Sequence, residues 1–161
     1  PIQAKGDMPS PRSGCAFVAV GPLLYAYGGV GDHHQYCGDL YVFDMRSHTG
    51  SLIPLTQCPV AGWRGLNQAS MVHYKGQLVL FGGYSGTQYS DVLWSINPST
   101  GFCMDHTVKS EEWPAGRQSH SAVMWGDKMV VFGGKNFGGL LSDLCVFDLS
   151  GLFVGAERKI E

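Results

Sequence analysis

The residues best suited to metal chemistry lie close together in one short segment. Asp32, His33, His34 and Cys37 all carry groups that bind transition metals. Adjacent histidines in a flexible loop rarely converge on one ion, and no second cluster of metal ligands lies nearby in the sequence. The segment therefore favours a solvated loop, and we predict no metal and no cofactor.

Two arginines have side chains that suit anion recognition. Arg12 follows Pro9 by three residues, and Arg117 follows Pro114 in the same way. A planar guanidinium matches carboxylates and phosphorylated or acidic peptides, so either arginine could contact a partner. Alternatively, each arginine could bridge adjacent structural units by bonding carbonyls or an aspartate. The sequence leaves both interpretations open.

Three aspartates, Asp39, Asp91 and Asp143, recur at a spacing of 52 residues. Two carboxylates that share acid–base work must converge on one reacting group. Equal and wide spacing instead places each aspartate in a separate structural unit. We therefore predict hydrogen bonding at strand ends for these residues, and no catalytic residue.

Charge and cysteine content limit the partners and the compartment. The formal net charge is −2, and no run of lysine or arginine occurs, which argues against nucleic acid or a membrane surface as a partner. The five cysteines are odd in number, widely spaced and contain no C-x-x-C pair. This pattern predicts reduced thiols in a cytoplasmic protein, with the nucleus as the alternative compartment.

The elements that must position these residues repeat three times. A glycine pair closes a short apolar run in each unit, at Gly28-Gly29, Gly82-Gly83 and Gly133-Gly134. Another apolar segment precedes each pair, and after a variable loop each repeated aspartate opens a further apolar run. This shared order indicates three copies of one unit. We predict a structural role for the glycines, which suit crowded strand ends and positive φ.

Each unit is predicted to contain four short strands, which in the first unit lie near 14–20, 22–28, 39–45 and 51–56. The strands are nearly unbroken apolar runs, so both faces of each small sheet must be covered. Similar sheets stacked around an axis cover one another and form a β-propeller. The predicted fold class is all-β, built from blades of four antiparallel strands.

The motifs also resemble a known family. The run 9–16, the pair Gly28-Gly29 and the run 39–44 resemble a kelch repeat, and residues 114–121 are similar to its commoner P-x-x-R-x-x-H-[AS] form. The second unit departs from this pattern. There Leu66 occupies the position of the arginine, and Arg64 lies two residues earlier.

The resemblance implies a ring of six or seven blades, of which residues 1–161 would form only part. We expect residues 1–8 to be the outer strand of a preceding blade, and residues 9–57, 58–109 and 110–161 to be blades 1, 2 and 3. Three blades alone would expose broad apolar faces. We therefore predict that the remaining blades come from the same polypeptide or from another chain.

The loops between the second and third strands differ most among the units. By the topology that the resemblance implies, these loops share the ligand-facing rim with the arginines. Exposed aromatic and polar side chains on a rigid scaffold form a good contact surface, and Arg64 breaks the repeated spacing. The predicted partner-binding residues are Arg12, Arg64, Arg117, Tyr36, Tyr84, Asn136 and Phe137.

The predicted function is a protein–protein interaction platform, acting as a scaffold, an adaptor or a substrate receptor. A stiff ring would hold its variable loops ready for a protein or peptide partner, with an acidic or extended segment as the expected ligand. The alternatives are a kelch-type enzyme, a kelch domain that regulates an attached catalytic domain such as a phosphatase, and a purely architectural set of blades. The sequence contains no convergent set of catalytic or metal-binding residues, so the platform is favoured over the enzyme.

Overall fold

The structure, a computed structural model, describes residues 1–60 and 65–153. It consists of β-strands and loops, with one single-turn 3₁₀ helix at Asp32–His34. The described part of the chain contains no α-helix, which confirms the predicted all-β class. None of the described segments forms a helix long and apolar enough to cross a membrane.

Blade 1 is a sheet of five strands. They are β1 (Lys5–Gly6), β2 (Ala16–Val20), β3 (Leu23–Tyr27), β4 (Leu40–Asp44) and β5 (Thr49–Ile53). Strands β2 to β5 pair in sequence order and antiparallel, as expected for one blade. Strand β1 adds a short parallel pairing on the outer edge of β5.

Blade 2 repeats the four-stranded order without a fifth strand. It contains β6 (Ser70–Tyr74), β7 (Gln77–Phe81), β8 (Leu93–Ile96) and β9 (Cys103–Asp105), all paired antiparallel in sequence order. Two-residue turns join the first two strands of blades 1 and 2. The first two units therefore have the strand order that the sequence predicts.

Blade 3 differs in two ways. Its sheet contains β10 (Ser121–Trp125), β11 (Lys128–Phe132) and β14 (Leu144–Asp148), and the loop between β11 and β14 forms a small hairpin of β12 (Lys135–Asn136) and β13 (Gly139–Leu140). The sequence analysis did not predict this hairpin. Residues 154–161, where the fourth strand of this blade was expected, lie outside the described residues.

The segment 1–8 was expected to belong to a preceding blade. In the structure, Lys5–Gly6 runs parallel to Thr49–Gly50 at the outer edge of blade 1. The same arrangement recurs at the next boundary, where Thr56 forms a parallel bridge with Phe102 of blade 2. The segment thus has the geometry of a connection that reaches blade 1 from outside, and its place in a preceding blade stays a prediction.

Two apolar cores hold the blades together. Strand β7 contributes to both, because alternate side chains of a strand point to opposite faces. Leu78 and Leu80 pack towards blade 1, whereas Val79 and Phe81 pack towards blade 3, and all four are completely buried. Coverage of both faces explains the unbroken apolar runs of the central blade.

Candidate functional site

The variable loops gather on one rim of the stack. In each blade the first strand begins, and the second strand ends, at the same edge of the sheet. Backbone bridges then tie the loop before the first strand to the loop after the second, at Ser13–Val30, Asn67–Tyr84 and Gln118–Lys135. We refer to this edge as the loop rim. Its backbone is fixed by the sheets, so its side chains are displayed on a rigid base.

Four aromatic side chains from the three blades form a continuous group on the loop rim, which we call the aromatic rim cluster: Tyr36, Tyr84, Tyr89 and Phe137. The Tyr36 and Tyr84 rings lie 6.0 Å apart, and the Tyr84 and Tyr89 rings 4.7 Å apart. Phe137 meets Tyr89 edge-on at 4.7 Å. These separations are within the favourable range for aromatic pairs.

Local contacts fix the orientation of the tyrosines. The Tyr84 hydroxyl donates a 2.8 Å hydrogen bond to the carbonyl of Gly86. A Cβ at Gly86 would lie 2.7 Å from the Tyr36 ring, so the absence of a side chain there allows blades 1 and 2 to approach. Burial raises the pKa of Tyr36, and the adjacent Tyr84 and Tyr89 raise it further, so its hydroxyl stays neutral.

Phe137 projects from the tip of the β12–β13 hairpin and is 77% exposed. Asn136 holds this tip in place: its side-chain oxygen accepts from the Gly138 N–H at 2.8 Å, and its side-chain nitrogen donates to the Gly116 carbonyl at 3.2 Å. Both ends of the Asn136 amide are thus engaged within blade 3. Asn136 thus holds the loop that carries Phe137, and its predicted contact with a partner stays a prediction.

Tyr89 belongs to the cluster but was not among the predicted contact residues. It lies in the same variable loop as Tyr84, and the two residues form a backbone bridge within that loop. The sequence signal was one more aromatic side chain among small polar neighbours. Its importance becomes visible only when the loop folds back and brings both tyrosines to Phe137.

The two motif arginines turn inward. The Arg117 guanidinium binds both carboxylate oxygens of Asp143 at 2.7 Å and also donates to the Gly133 carbonyl at 3.0 Å. Arg12 pairs with Asp39 in the same forked manner and donates to the Gly28 carbonyl at 3.3 Å. Each arginine thus joins the loop before the first strand to the glycine pair and to the third strand of its own blade.

Partner binding by Arg12 and Arg117 stays a prediction, and this geometry does not favour it. The side chain of Arg117 is 1% exposed and that of Arg12 is 8% exposed, so both guanidinium groups face the interior of their own blade. The Arg117 guanidinium holds the pKa of the Asp143 carboxyl well below its usual range, because its hydrogen bonds favour the ionised form. The bonds also lie within one blade, and not between adjacent blades as the structural alternative supposed.

Blade 2 shows how the fold manages without this arginine. Leu66, in the equivalent position, is 1% exposed and belongs to the core between blades 1 and 2. Asp91 then pairs with the exposed Lys109, at 2.6 Å, and its carbonyl accepts from the Trp113 indole at 2.8 Å. Arg64, the third predicted contact arginine, lies outside the described residues.

The glycine pairs end the second strand of each blade, and those of blades 1 and 2 contact the next blade. Their φ angles are 72° and 95° in blade 1, 74° and 99° in blade 2, and 69° and 94° in blade 3. The second glycine of a pair donates to the next blade, from Gly29 to the Leu66 carbonyl and from Gly83 to the Arg117 carbonyl, both at 2.8 Å. A Cβ at Gly82 would lie 2.6 Å from the Arg117 carbonyl oxygen. All three pairs thus have a left-handed backbone, and those of blades 1 and 2 also make a close contact with the next blade.

Polar side chains also join blades 2 and 3, and those of His120 and Gln118 are buried. His120 shares a 2.7 Å hydrogen bond with the Ser70 hydroxyl, and the Gln118 amide donates to the side-chain oxygen of Gln68 at 2.9 Å. Burial, helped by the charge of Arg117, lowers the pKa of His120 to about 4. His120 therefore remains neutral at physiological pH and connects two blades.

Asp32, His33 and His34 lie in an exposed turn, in which both histidines have positive φ, whereas Cys37 is buried. Across residues 1–60 and 65–153, no three His, Cys, Asp or Glu side chains come together in a way that could hold a metal ion. All five cysteines are free thiols.

Repeated blades of four strands, glycine pairs and a strand-end aspartate together define a segment of a kelch-type β-propeller. A family model described as the KLHDC2/KLHL20/DRC7 Kelch-repeats domain matches residues 1–152. The chain belongs to this Kelch-repeat family, which confirms the resemblance seen in its motifs.

Several curated proteins are similar to the chain. Host cell factor of Drosophila melanogaster is 32% identical over 145 residues, which cover 80% of this chain and 10% of that protein. N-(sulfonatooxy)prop-2-enimidothioate sulfolyase of Thlaspi arvense is 31% identical over 154 residues, covering 86% and 40%. Kelch domain-containing protein 3 of Bos taurus is 29% identical over 145 residues, covering 84% and 37%. The chain thus spans less than half the length of each of these relatives.

Proposed function

We propose that this chain is part of a protein–protein interaction platform, whose partner binds at the aromatic rim cluster. The observation that carries the proposal is the continuity of four aromatic rings across three blades, with Phe137 largely exposed beside half-buried tyrosines. Rigid aromatic side chains bury much area at a low entropic cost, and they dominate the binding energy of many interfaces. A role as a scaffold, an adaptor or a substrate receptor is consistent with this surface.

The inward arginines change the kind of partner that we propose. Arg12 and Arg117 are neutralised by Asp39 and Asp143, so they do not give the rim a positive charge. The rim presents aromatic rings with exposed polar neighbours such as Thr87 and Gln88. We therefore propose that the partner is an extended protein or peptide segment with an apolar anchor residue. Acidic residues in the partner are not required for this contact.

The remaining blades are a second part of the proposal. The outward face of blade 3 exposes an apolar row in which Val123 and Val146 are 61% and 51% exposed. Within the described residues, the Gly134 N–H lacks the inter-blade partner that Gly29 and Gly83 have. A further blade, from the same polypeptide or another chain, would cover this face and complete that hydrogen bond. Free cysteines support a cytoplasmic or nuclear setting for the assembly.

The first experiment compares partner recovery between variants of the full-length protein by quantitative affinity purification. Phe137→Ala should reduce recovery of the main partner at least tenfold, as expected for a hot-spot side chain. Met104→Ala is the matched control, because Met104 is 48% exposed on the outer strand of the central blade, away from the loop rim. Equal recovery by wild type and Phe137→Ala would contradict the proposal.

An enzymatic function is the second candidate, and one relative favours it. The sulfolyase relative has the printed name of a lyase and covers 86% of this chain. A metal site with three or more His, Cys, Asp or Glu ligands would have to include residues beyond those that the structure describes. Metal analysis of the full-length protein separates the two candidates, because stoichiometric copper or iron would favour the enzyme.

A further inference from the structure

Two cysteines meet where the chain passes from blade 1 to blade 2. Cys58 lies in the connection that follows β5, and Cys103 is the first residue of β9. The Cys103 N–H donates to the Thr56 carbonyl at 2.9 Å, and Thr56 also bridges Phe102 in parallel. The connection is therefore fixed alongside the outer strand of blade 2, which brings the two cysteines together.

The two thiols interact with each other within the core between these blades. Cys58 packs against a cluster that contains Cys103 and Tyr27, and Cys103 is 2% exposed. The two thiols share a hydrogen bond, and the Cys103 thiol also donates to the Gly101 carbonyl at 3.6 Å. The shared bond lowers the pKa of Cys58, because it stabilises the thiolate, and it raises the pKa of Cys103.

Cys58 can be reached from outside. It lines an open cavity of about 440 Å³ at the junction of the two blades, together with Leu52 and Pro54. Cys103 does not line this cavity and is 2% exposed. A small reagent thus meets one thiol first, with the second thiol directly adjacent.

The other cysteines offer no such combination, and Cys37 is buried and does not line this cavity. Burial raises the pKa of Cys15, and burial also raises that of Cys145 to about 11. A higher pKa leaves less thiolate at neutral pH, and the thiolate is the nucleophile. Cys58 is thus the cysteine whose position combines access, a neighbouring thiol and a stabilised thiolate.

We propose that Cys58 and Cys103 form a redox-active dithiol site that reacts with small disulfides such as oxidised glutathione. The Cys58 thiolate attacks one sulfur of the disulfide, which forms a mixed disulfide and releases one glutathione thiolate. The Cys103 thiol then loses its proton and attacks the Cys58 sulfur, and the second glutathione leaves as a thiolate. The two cysteines are oxidised, and one glutathione disulfide is reduced to two molecules of glutathione.

The cross-link would join the inter-blade connection to the outer strand of blade 2. Thr56 and Phe102 already hold these segments together without a covalent bond. Oxidation would make this junction covalent, and a reductant would break the cross-link again.

The test maps cysteine reactivity in the full-length protein by mass spectrometry. At neutral pH, limiting iodoacetamide should label Cys58 at least tenfold faster than Cys15 and Cys145. Oxidised glutathione should then give a peptide that links Cys58 to Cys103, removable by dithiothreitol. Equal labelling of the three cysteines, or a lasting glutathione adduct on Cys58 without the cross-linked peptide, would overturn the proposal.

Variants separate the two steps. Cys103→Ser keeps a hydrogen-bond donor but cannot resolve the mixed disulfide, so the glutathione adduct on Cys58 should increase at least tenfold. Cys145→Ser is the matched control, and it should leave both the labelling rate and the cross-link unchanged. If Cys103→Ser fails to fold, the labelling and cross-linking of the wild-type protein still decide the outcome.

Discussion

At the scale of single residues, the most informative comparison is between the arginine of blade 3 and the leucine of blade 2. Arg117 is buried and binds Asp143, whereas Leu66 fills the same place with a side chain that needs no partner. A buried charge is costly when it loses its partner, although an apolar replacement of the whole pair is often tolerated. The fold thus accepts either side chain at this position, and in blade 3 the arginine stabilises its own blade.

The first prediction concerns this ion pair. Asp143→Ala should lower the free energy of unfolding by about 3 kcal/mol, because it leaves the buried Arg117 charge unpaired. Asp91→Ala, which removes only the pair with exposed Lys109, should cost less than about 1 kcal/mol. Denaturant unfolding measures both changes. The double variant Arg117→Leu with Asp143→Ala should be more stable than Asp143→Ala alone, and the reverse order would refute this role of the pair.

A second prediction follows from His120. Its pKa is about 4 in the folded protein, whereas an unfolded chain binds this proton near pH 6.5. The unfolded state therefore binds more protons between these values, so stability is complete above pH 6.5 and falls as the pH decreases towards 4. The loss attributable to His120 is at most about 3 kcal/mol. Hydrogen bonds to Arg46 lower the pKa of Asp44 to about 2. The contribution of Asp44 to stability is therefore lost only at a lower pH than that of His120.

The pH dependence is measured by chemical unfolding at intervals between pH 4 and 7. His120→Gln should flatten the slope in this range, although half-buried His106, whose pKa is also lowered, will leave part of it. His48→Asn is the control, because His48 is exposed in a turn with positive φ that asparagine tolerates. An unchanged slope in His120→Gln would show that another group is responsible.

At the scale of elements, the sequence predicts the repeated sheets well and the loops less well. Strands such as β7 and β11 were predictable because unbroken apolar runs ending in a glycine pair have few other solutions. The β12–β13 hairpin was not, because strands of two residues have no periodicity to detect. The inward turn of Arg117 also could not be read from spacing, since it depends on where Asp143 lies once the blade has folded. Tyr36, Tyr84 and Phe137, all predicted from the sequence, do meet on the loop rim. The part played by Tyr89 can be recognised only from the folded loop.

The glycine pairs give a prediction at this scale. Gly82 and Gly133 have nearly equal φ values of 74° and 69°, but a Cβ at Gly82 would lie 2.5 Å from His120, whereas the nearest atom to one at Gly133 is 3.4 Å away. In the 161-residue chain, Gly82→Ala should therefore cost at least about 2 kcal/mol more than Gly133→Ala, through overpacking at the blade interface. Thermal or denaturant unfolding gives the difference. Equal costs would contradict the inter-blade contact described for Gly82.

At the scale of the whole molecule, the three blades form a stack in which the central blade and the two terminal blades differ in how their faces are covered. The central blade is covered on both faces, whereas Phe17 of blade 1 and Phe132 of blade 3, on the outward faces, are more than half exposed. Surfaces of this kind usually mark contact with another part of a protein. If a further blade covers blade 3 in the complete protein, Gly133→Ala should there become nearly as costly as Gly82→Ala.

The central claim is that the aromatic rim cluster is the surface that binds a protein partner. A photo-crosslinking amino acid at position 137 of the full-length protein, compared with one at position 104, tests it most directly. Both side chains are exposed, but only the first lies on the loop rim. We expect a discrete cross-linked partner from position 137 and none from position 104. The same partner captured equally from both positions, or from position 104 alone, would contradict the claim.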